Sequence, residues 1–322
     1  MKISDPIYGE FEITEPVILD LLESPAMLRI KNVSQYGIPD EYYELINFSR
    51  FEHSLGVMLL LRKLKAPIEE QIAGLLHDVS HFAFSHIADW VFAGGGTLGN
   101  VEDFHDRGHE VFIEKTELPA LLKRHGFDVD KITDENNFPL LNNEIPDVCA
   151  DRFDYAIQEI YRFLEPSSTL ECVASLRNHN NSIVFADQKS ALKFAKLFLR
   201  LQQEHWGHSN TTARYRYFSN ALKRALGLGI IAKEDFYLTD DHMMSKILKA
   251  NDPEIDRTLD LLRDKKFYQN LKKTGQVIHK KFRYVDPLFL SGDSTLRLSE
   301  VDSEFKKIIE DARKENSKGI EI

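Results

Sequence analysis

The amino-acid sequence predicts a mainly α-helical protein with a small β or mixed α/β element near its C-terminal end. Runs such as RFEHSLGVMLLLRKL and DVCADRFDYAIQEIYRFL space apolar side chains at helical intervals, whereas short two-residue alternation appears late, in QVIHKKFRYVDPLFL and STLRL. The chain shows no internal repeat and no disordered linker, only a polar end at 315–322.

Taken in order, Asp5-Pro6-Ile7-Tyr8-Gly9 reads as a turn with a short strand, and VILDLLESPAMLRIKNV as a helix that Pro25 kinks or breaks. RFEHSLGVMLLLRKL is a stronger helix, and Pro67 suits the start of the next, through EEQIAGLLHD. HFAFSHIADWVF has a helical pattern. The glycine-rich AGGGTLGN follows no βαβ unit and carries no Walker lysine, which excludes a P-loop or dinucleotide site. GHEVFIEKTELPALLKRH reads as an amphipathic helix and DENNFPLLNNEIPD as a polar connection. DVCADRFDYAIQEIYRFL then places Asp151 and Tyr155 one turn apart. Two helices flank HWGHSNTT, Thr239-Asp240-Asp241 caps HMMSKILKA, Asp256 starts a helix through LDLLRDKKF, and FKKIIEDARK is helical.

With 322 residues and 43% hydrophobic side chains, the chain can bury a substantial core. We expect residues 1–175 to form a helical metal-binding core, and residues 176–322 a helical extension integrated with it. No apolar run approaches the roughly 18–20 residues that span a bilayer, and MKISDPIYGEFEI lacks a signal core, so cytoplasm is the expected location. Cys149 and Cys172 are too few for a disulfide scaffold. A net charge of −10 argues against broad attraction to nucleic acid, and no element for specific DNA recognition is evident. The basic run from Arg263 to Arg283 reads as a solvated edge or as one wall of a phosphate pocket.

His77-Asp78 sets two candidate ligands side by side at the end of an apolar helix, with His53 upstream and Asp151 downstream. Neutral imidazoles and ionised carboxylates form a mixed nitrogen and oxygen set that suits a divalent metal, whether Fe, Mn, Ni, Zn or Mg. Such a metal lowers the pKa of water and polarises phosphate oxygens, which points to hydrolysis of a phosphate ester or anhydride. Each residue alone is more often a packing histidine or a surface carboxylate; the joint arrangement favours the metal.

Arg50-Phe51-Glu52-His53-Ser54, His77-Asp78 and Asp151-Arg152-Phe153-Asp154-Tyr155 together resemble the HD superfamily of metal-dependent phosphohydrolases. Asp5-Pro6, Gly9, the Arg29 to Gln35 segment and His77 to His86 resemble its deoxynucleoside-triphosphate triphosphohydrolase branch. The resemblance implies an HD-type helical fold, with His53, His77, Asp78 and Asp151 as metal ligands. It implies roles near the reactive phosphate for His81 and His105, and a supporting pair in His86 and Asp89. Arg50 and Arg152 match phosphate-contacting positions, and Gln35 and Tyr155 match positions near the deoxyribose. Asp106 is a candidate to orient the imidazole chemistry. The looser His208, Arg214 and Arg216 region faces either the phosphate tail or the protein interior.

The implied reaction is hydrolysis of a deoxynucleoside triphosphate to deoxynucleoside and triphosphate, by a protein that assembles as a homo-oligomer. A phosphohydrolase for another nucleotide or phosphometabolite, and a catalytically weakened nucleotide sensor or structural oligomer, are the competing readings. Several positions depart from the family pattern: Tyr8 where relatives often carry histidine, Leu28 in place of glutamine, Gly37-Ile38-Pro39-Asp40 followed by YYELINFS in place of a proline-glycine approach, and Gln158-Glu159 in place of an arginine-aspartate pair. The last removes a five-donor guanidinium that Gln158 cannot replace.

Overall fold

Asp5 folds the first turn around its own side chain: Oδ1 accepts from the amides of Ile7 and Tyr8, both at 2.8 Å. Gly9 takes φ +96°, and strands β1 (Lys2–Asp5) and β2 (Gly9–Glu12) pair antiparallel. The structure, a computed structural model, describes residues 1–92, 108–271, 275 and 277–321. Pro25, capped by Ser24, divides the next predicted helix into α1 (Pro16–Leu22) and α2 (Pro25–Arg29).

α3 (Arg50–Lys63) begins at a reciprocal cap, in which the Ser49 hydroxyl accepts from the Glu52 amide and the Glu52 carboxylate accepts from the Ser49 amide. α4 (Ile68–Leu76) follows Pro67 and packs along α3. The helix expected across HFAFSHIADWVF is shorter than predicted. α5 (His86–Phe92) starts only after Phe84 and Ser85, which hold left-handed φ values of +63° and +43°. The single helix predicted through 108–125 is two, α6 (His109–Glu114) and α7 (Leu118–Arg124), because Pro119 fits the first turn of a helix and not its middle.

α8 (Val129–Thr133) leads to α9 (Ala150–Glu159), which packs on α3 and widens into a π turn at Ile160–Leu164 before α10 (Pro166–Ser175). A hairpin of β3 (Leu176–His179) and β4 (Ser182–Phe185) precedes α11 (Gln188–Leu201), a second π turn at Gln202–Trp206 and α12 (Ser209–Gly227). α13 (Asp240–Ala250) is capped by Thr239. α14 (Pro253–Arg263) begins before the predicted Asp256, since Asp252 caps it through the amides of Glu254 and Ile255. After α15 (Phe267–Asn270) come β5 (Val277–Ile278), β6 (Leu288–Ser291), β7 (Ser294–Arg297), α16 (Leu298–Val301), α17 (Ser303–Ser317) and β8 (Ile320–Glu321).

The fold is thus mainly helical with a small mixed sheet, as predicted. Its four strands run in the order β3-β4-β6-β7, with β4 and β6 parallel and the other pairs antiparallel. One buried cluster includes Leu21, Met58, Leu75, Phe153, Phe194 and Phe305; a second includes Tyr42, Phe84, Phe218, Phe236, Ile255 and Phe267. No helix among the described residues is long and apolar enough to cross a membrane.

Candidate metal centre and substrate cavity

Three helix ends converge. His53 lies one turn into α3, His77 caps the C-terminus of α4, and Asp151 sits in the first turn of α9. His53 Nε2 is 3.2 Å from His77 Nε2 and 3.1 Å from Asp151 Oδ1, and 3.6 Å between His77 Nε2 and Asp151 Oδ1 closes the triangle.

The remote ring nitrogens decide what the near ones present. His53 Nδ1 meets Asp154 Oδ2 at 2.7 Å, and His77 Nδ1 meets the Gly74 carbonyl at 2.8 Å. Both partners accept, so each Nδ1 donates, and in the neutral ring each Nε2 carries a bare lone pair. Two such nitrogens and a carboxylate oxygen this close repel unless a cation or a proton lies among them. Nitrogen and oxygen ligands at about 2.0–2.2 Å from a metal stand about 3 Å from one another, close to the separations seen here. The donor set therefore fits a divalent metal, which His53, His77 and Asp151 would hold.

The local field favours the same occupant. Burial opposes a charge on His77, but Asp78 and Asp151 outweigh it and lift its pKa to about 10. His53 is raised too, with burial opposed by Asp151, Asp154 and Asp78. Partial burial raises the pKa of Asp151, but the two imidazoles outweigh it and hold this half-buried carboxylate far below the usual range.

Asp78 stands alongside the cluster. Its oxygens are 3.7 Å from His53 Nε2 and 3.6 Å from His77 Nε2, while Oδ2 accepts from Arg50 at 2.6 Å and Oδ1 meets His81 Nε2 at 3.0 Å. Burial raises its pKa, but Arg50, His81 and His77 keep it well below the ordinary value. Arg50 also donates to the Ser85 hydroxyl at 3.0 Å, tying α3 to the turn before α5.

Behind His53 lies a contact that sequence reasoning missed. Asp154 is fully buried, and its second oxygen accepts from the Tyr8 hydroxyl at 2.6 Å. Gly56 makes room for it, since a Cβ there would come within 2.3 Å of Asp154 Oδ1. The signal available in the sequence was the three-residue spacing of Asp151 and Asp154, which puts both on one face of α9.

The cluster opens onto a cavity of about 810 Å³. Gln35, Arg50, His81, His86, Arg152 and Tyr155 all line it, together with His77, Asp78, Asp89 and Asp151. His86 Nδ1 lies 3.3 Å from Asp89 Oδ2, and the His81 and His86 rings are edge-to-face at 5.4 Å. Arg152 is anchored by Asn143 Oδ1, the Asn143 carbonyl and the Asp147 carbonyl, at 2.9, 3.0 and 2.5 Å. His105 and Asp106 lie outside the described residues. His109, which the sequence reading did not single out, lines the cavity and pairs with the Ser80 hydroxyl at 2.8 Å.

Elsewhere in the cavity lining, Glu159 meets His205 Nδ1 at 2.6 Å and accepts from Trp206 Nε1 at 2.9 Å, and the Tyr43 hydroxyl meets His205 Nε2 at 2.5 Å. The departure at Gln158-Glu159 thus has its counterpart in the π turn that supplies His205 and Trp206. Lys280, Lys281 and Arg283 also line the cavity, so one end of the basic run reaches it. Arg263, at the other end, pairs with Glu41 and Asp260 on the surface.

Of the two readings open for the 208–216 region, Arg214 follows the interior one. Arg214 is 1% exposed and donates to the carbonyls of Tyr42, Leu262 and Asp264, a hub between α12 and α14. His208 caps α12, and neither it nor Arg216 lines the cavity.

The HD domain family matches residues 50–159, from the start of α3 to the end of α9. The chain is 33% identical over 336 residues to uncharacterized protein YdhJ of Bacillus subtilis, spanning 100% of this chain and 98% of that one. It is 28% identical over 269 residues to metal-dependent phosphohydrolase cns2 of Cordyceps militaris, spanning 81% and 76%. A crystal structure of a phosphohydrolase from Bacteroides thetaiotaomicron shares the fold, with a TM-score of 0.67 over 94% of each chain at 17% identity. Likeness to deoxynucleoside triphosphate triphosphohydrolase SAMHD1 of Danio rerio is confined to 145 residues at 33% identity, 39% of this chain and 23% of that one. With a relative matched along its whole length and the HD signature on the helices that carry the ligand cluster, the chain belongs to the HD-domain superfamily of metal-dependent phosphohydrolases.

Proposed function

We propose that the cavity binds a deoxynucleoside triphosphate and that water attacks the α-phosphorus and displaces the 5′-oxygen of the deoxynucleoside, which takes up a proton as it leaves, giving a deoxynucleoside and intact triphosphate. The observation that carries the phosphate chemistry is the convergence of His53 Nε2, His77 Nε2 and Asp151 Oδ1 at the edge of a nucleotide-sized cavity. The resemblance to triphosphohydrolases, and the partial likeness to SAMHD1, support the choice of nucleotide and of bond.

A divalent metal at this cluster supplies a water of lowered pKa and neutralises phosphate charge. Asp154 holds His53 in the tautomer that leaves Nε2 free to ligate. Arg50 and Arg152, fixed by their own hydrogen bonds, hold positive charge beside the developing charge on the phosphoryl oxygens. His81, oriented by Asp78, is placed to hand a proton to the leaving group or to hold a phosphoryl oxygen, with His86 and Asp89 steadying its ring edge. His105 and Asp106 belong to the same proposal. Tyr155, edge-on to Trp206 at 5.4 Å, gives the nucleoside an apolar wall.

The test is product identification after incubating metal-loaded protein with a panel of nucleoside triphosphates. Deoxynucleoside with equimolar triphosphate is the expected outcome. Stepwise release of orthophosphate, or turnover restricted to another phosphate ester, overturns it.

A further inference from the structure

The segment between β5 and β6 brings a row of cations to the cavity, where Lys280, Lys281 and Arg283 all line the wall. It has no regular secondary structure, yet it is pinned at successive residues. Lys280 Nζ donates to the Trp206 carbonyl at 2.6 Å and lies 5.3 Å from the centre of the Tyr215 ring. The Lys280 carbonyl accepts from Asn316 of α17 at 3.0 Å, and Gln202 of the second π turn donates to the same Asn316 at 3.2 Å. Phe282 and Tyr284 stack at 5.2 Å against the Arg313 guanidinium, also of α17. Rings two residues apart that stack in this way belong to an extended chain, whose alternate positions, Lys281 and Arg283, fall on the other side.

The arginines nearer the ligand cluster are largely committed to the protein. Arg50 donates to the Ser85 hydroxyl, the Asp78 carboxylate and the Gln35 carbonyl, and Arg152 to the Asn143 side chain, the Asn143 carbonyl and the Asp147 carbonyl. Their charge acts beside the reacting phosphorus, but few of their N–H groups remain to grip phosphates further along a chain. Lys281 stands apart from them. It is exposed at the cavity wall, and its ammonium makes no hydrogen bond or ion pair among the described residues. Burial raises the Tyr155 pKa while the Arg152 and Arg283 charges oppose it, so the field of the segment reaches the part of the cavity that holds Arg152. An ammonium is a compact point charge suited to phosphate oxygens, and here it is carried on a segment fixed in place before any ligand arrives.

We infer that Lys281 and Arg283 hold the phosphates of the substrate beyond the one that reacts, so that the segment between β5 and β6 selects a polyphosphate chain over a single phosphate. The inference rests on the nucleotide reading proposed above and adds to it residues far outside the helices that carry the metal ligands. Contacts to non-reacting phosphates are the same in the ground and transition states, so their loss raises KM and leaves kcat in place.

The test measures kcat and KM of metal-loaded wild type, Lys281→Gln and Lys281→Arg on the 5′-tri-, di- and monophosphates of one deoxynucleoside. Lys281 is exposed, so neither change disturbs the core. Wild type should prefer the triphosphate to the monophosphate by about tenfold or more in kcat/KM, the scale of a charge-assisted hydrogen bond. In Lys281→Gln the triphosphate KM should rise about tenfold at a kcat within about twofold, with the monophosphate constants unchanged, and Lys281→Arg should restore the triphosphate KM. An unchanged KM in Lys281→Gln, or an equal loss on the monophosphate, overturns the inference while leaving nucleotide hydrolysis in place. Turnover of none of the three removes the nucleotide reading, and the segment is then judged on inorganic triphosphate and orthophosphate, titrated at buffered free metal and read from the fluorescence of Trp90 and Trp206, which both line the cavity. Tighter binding of triphosphate that Lys281→Gln abolishes supports the polyphosphate subsite; equal affinities, or no effect of the variant, remove it.

Discussion

Asp154 Oδ2 lies 2.7 Å from His53 Nδ1, and Tyr8 donates to the other carboxylate oxygen at 2.6 Å. A carboxylate in this position fixes the ring's tautomer and makes Nε2 a stronger ligand, and losing such a partner typically weakens metal affinity about 10- to 100-fold. Asp154→Asn should fall in that range in a chelator competition, with helical circular dichroism retained. Gly56→Ala should weaken metal binding as well, because its Cβ would displace the carboxylate. Wild-type affinity in Asp154→Asn would show that His53 needs no orienting partner.

Metal binding should release protons, and its stabilising effect should grow with pH. In the metal-free protein the Asp78 and Asp151 charges lift the His77 pKa from 6.5 to about 10 against the opposing effect of burial. That raised value contributes stability that is fully present below 6.5 and is lost as pH rises through 10. Ligation requires the deprotonated ring, so affinity rises over the same interval. Melting temperatures with and without metal should therefore diverge from pH 6.5 to 8.5, and calorimetry in two buffers of different ionisation enthalpy should detect proton release at pH 7. A gap that narrows with pH contradicts the cluster as the binding site.

Arg214 should matter to stability and not to substrate affinity. Its guanidinium satisfies three backbone carbonyls from within the packed α12–α14 region. Removing it leaves those acceptors buried, at a cost of about 3 kcal/mol. Arg214→Met should shift the urea midpoint accordingly and leave KM within about twofold, the scale of a change with no direct substrate contact. A raised KM at unchanged stability would restore a phosphate-facing role.

The parts of the site that the sequence made legible are those carried by helical spacing and residue chemistry. His53, His77 and Asp151 come from helices whose apolar faces pack together, so their convergence follows from burying those faces. Asp154 was visible only as a helix position, because its role depends on Gly56 and Tyr8, which are distant in sequence. The Glu159–His205–Tyr43 chain was hidden more deeply, since a π turn at Gln202–Trp206 sets the angle at which His205 enters the cavity wall. Arg214 stayed open between two roles because an arginine aimed at carbonyls and one aimed at phosphate look alike in one dimension. The division of 108–125 into two helices was readable from Pro119, but amphipathic spacing continues across the break and masks it.

Asp240 pins two loops of the site at once: Oδ1 accepts from the Phe84 amide at 2.7 Å and Oδ2 from the Ser34 amide at 2.9 Å. Arg29 works beside it, donating to the carbonyls of Val79 and His81 at 2.7 and 2.8 Å. Burial outweighs the two amides and raises the Asp240 pKa from 3.8 to about 6. A raised carboxylate pKa means that the folded state holds the proton more tightly than the unfolded state. Its stabilising contribution is therefore present below 3.8 and lost as pH rises through 6. Asn keeps one acceptor and does not titrate, so Asp240→Asn should carry a constant penalty of about 1 kcal/mol for the amide left unpaired. It should also lack the wild-type decline. Urea denaturation of metal-free protein from pH 4.5 to 7.5 should show the variant gaining on the wild type until about pH 6–7 and running parallel above it. A difference that does not change with pH would mean that Asp240 is ionised throughout the range, with its two amide donors sufficient to offset burial.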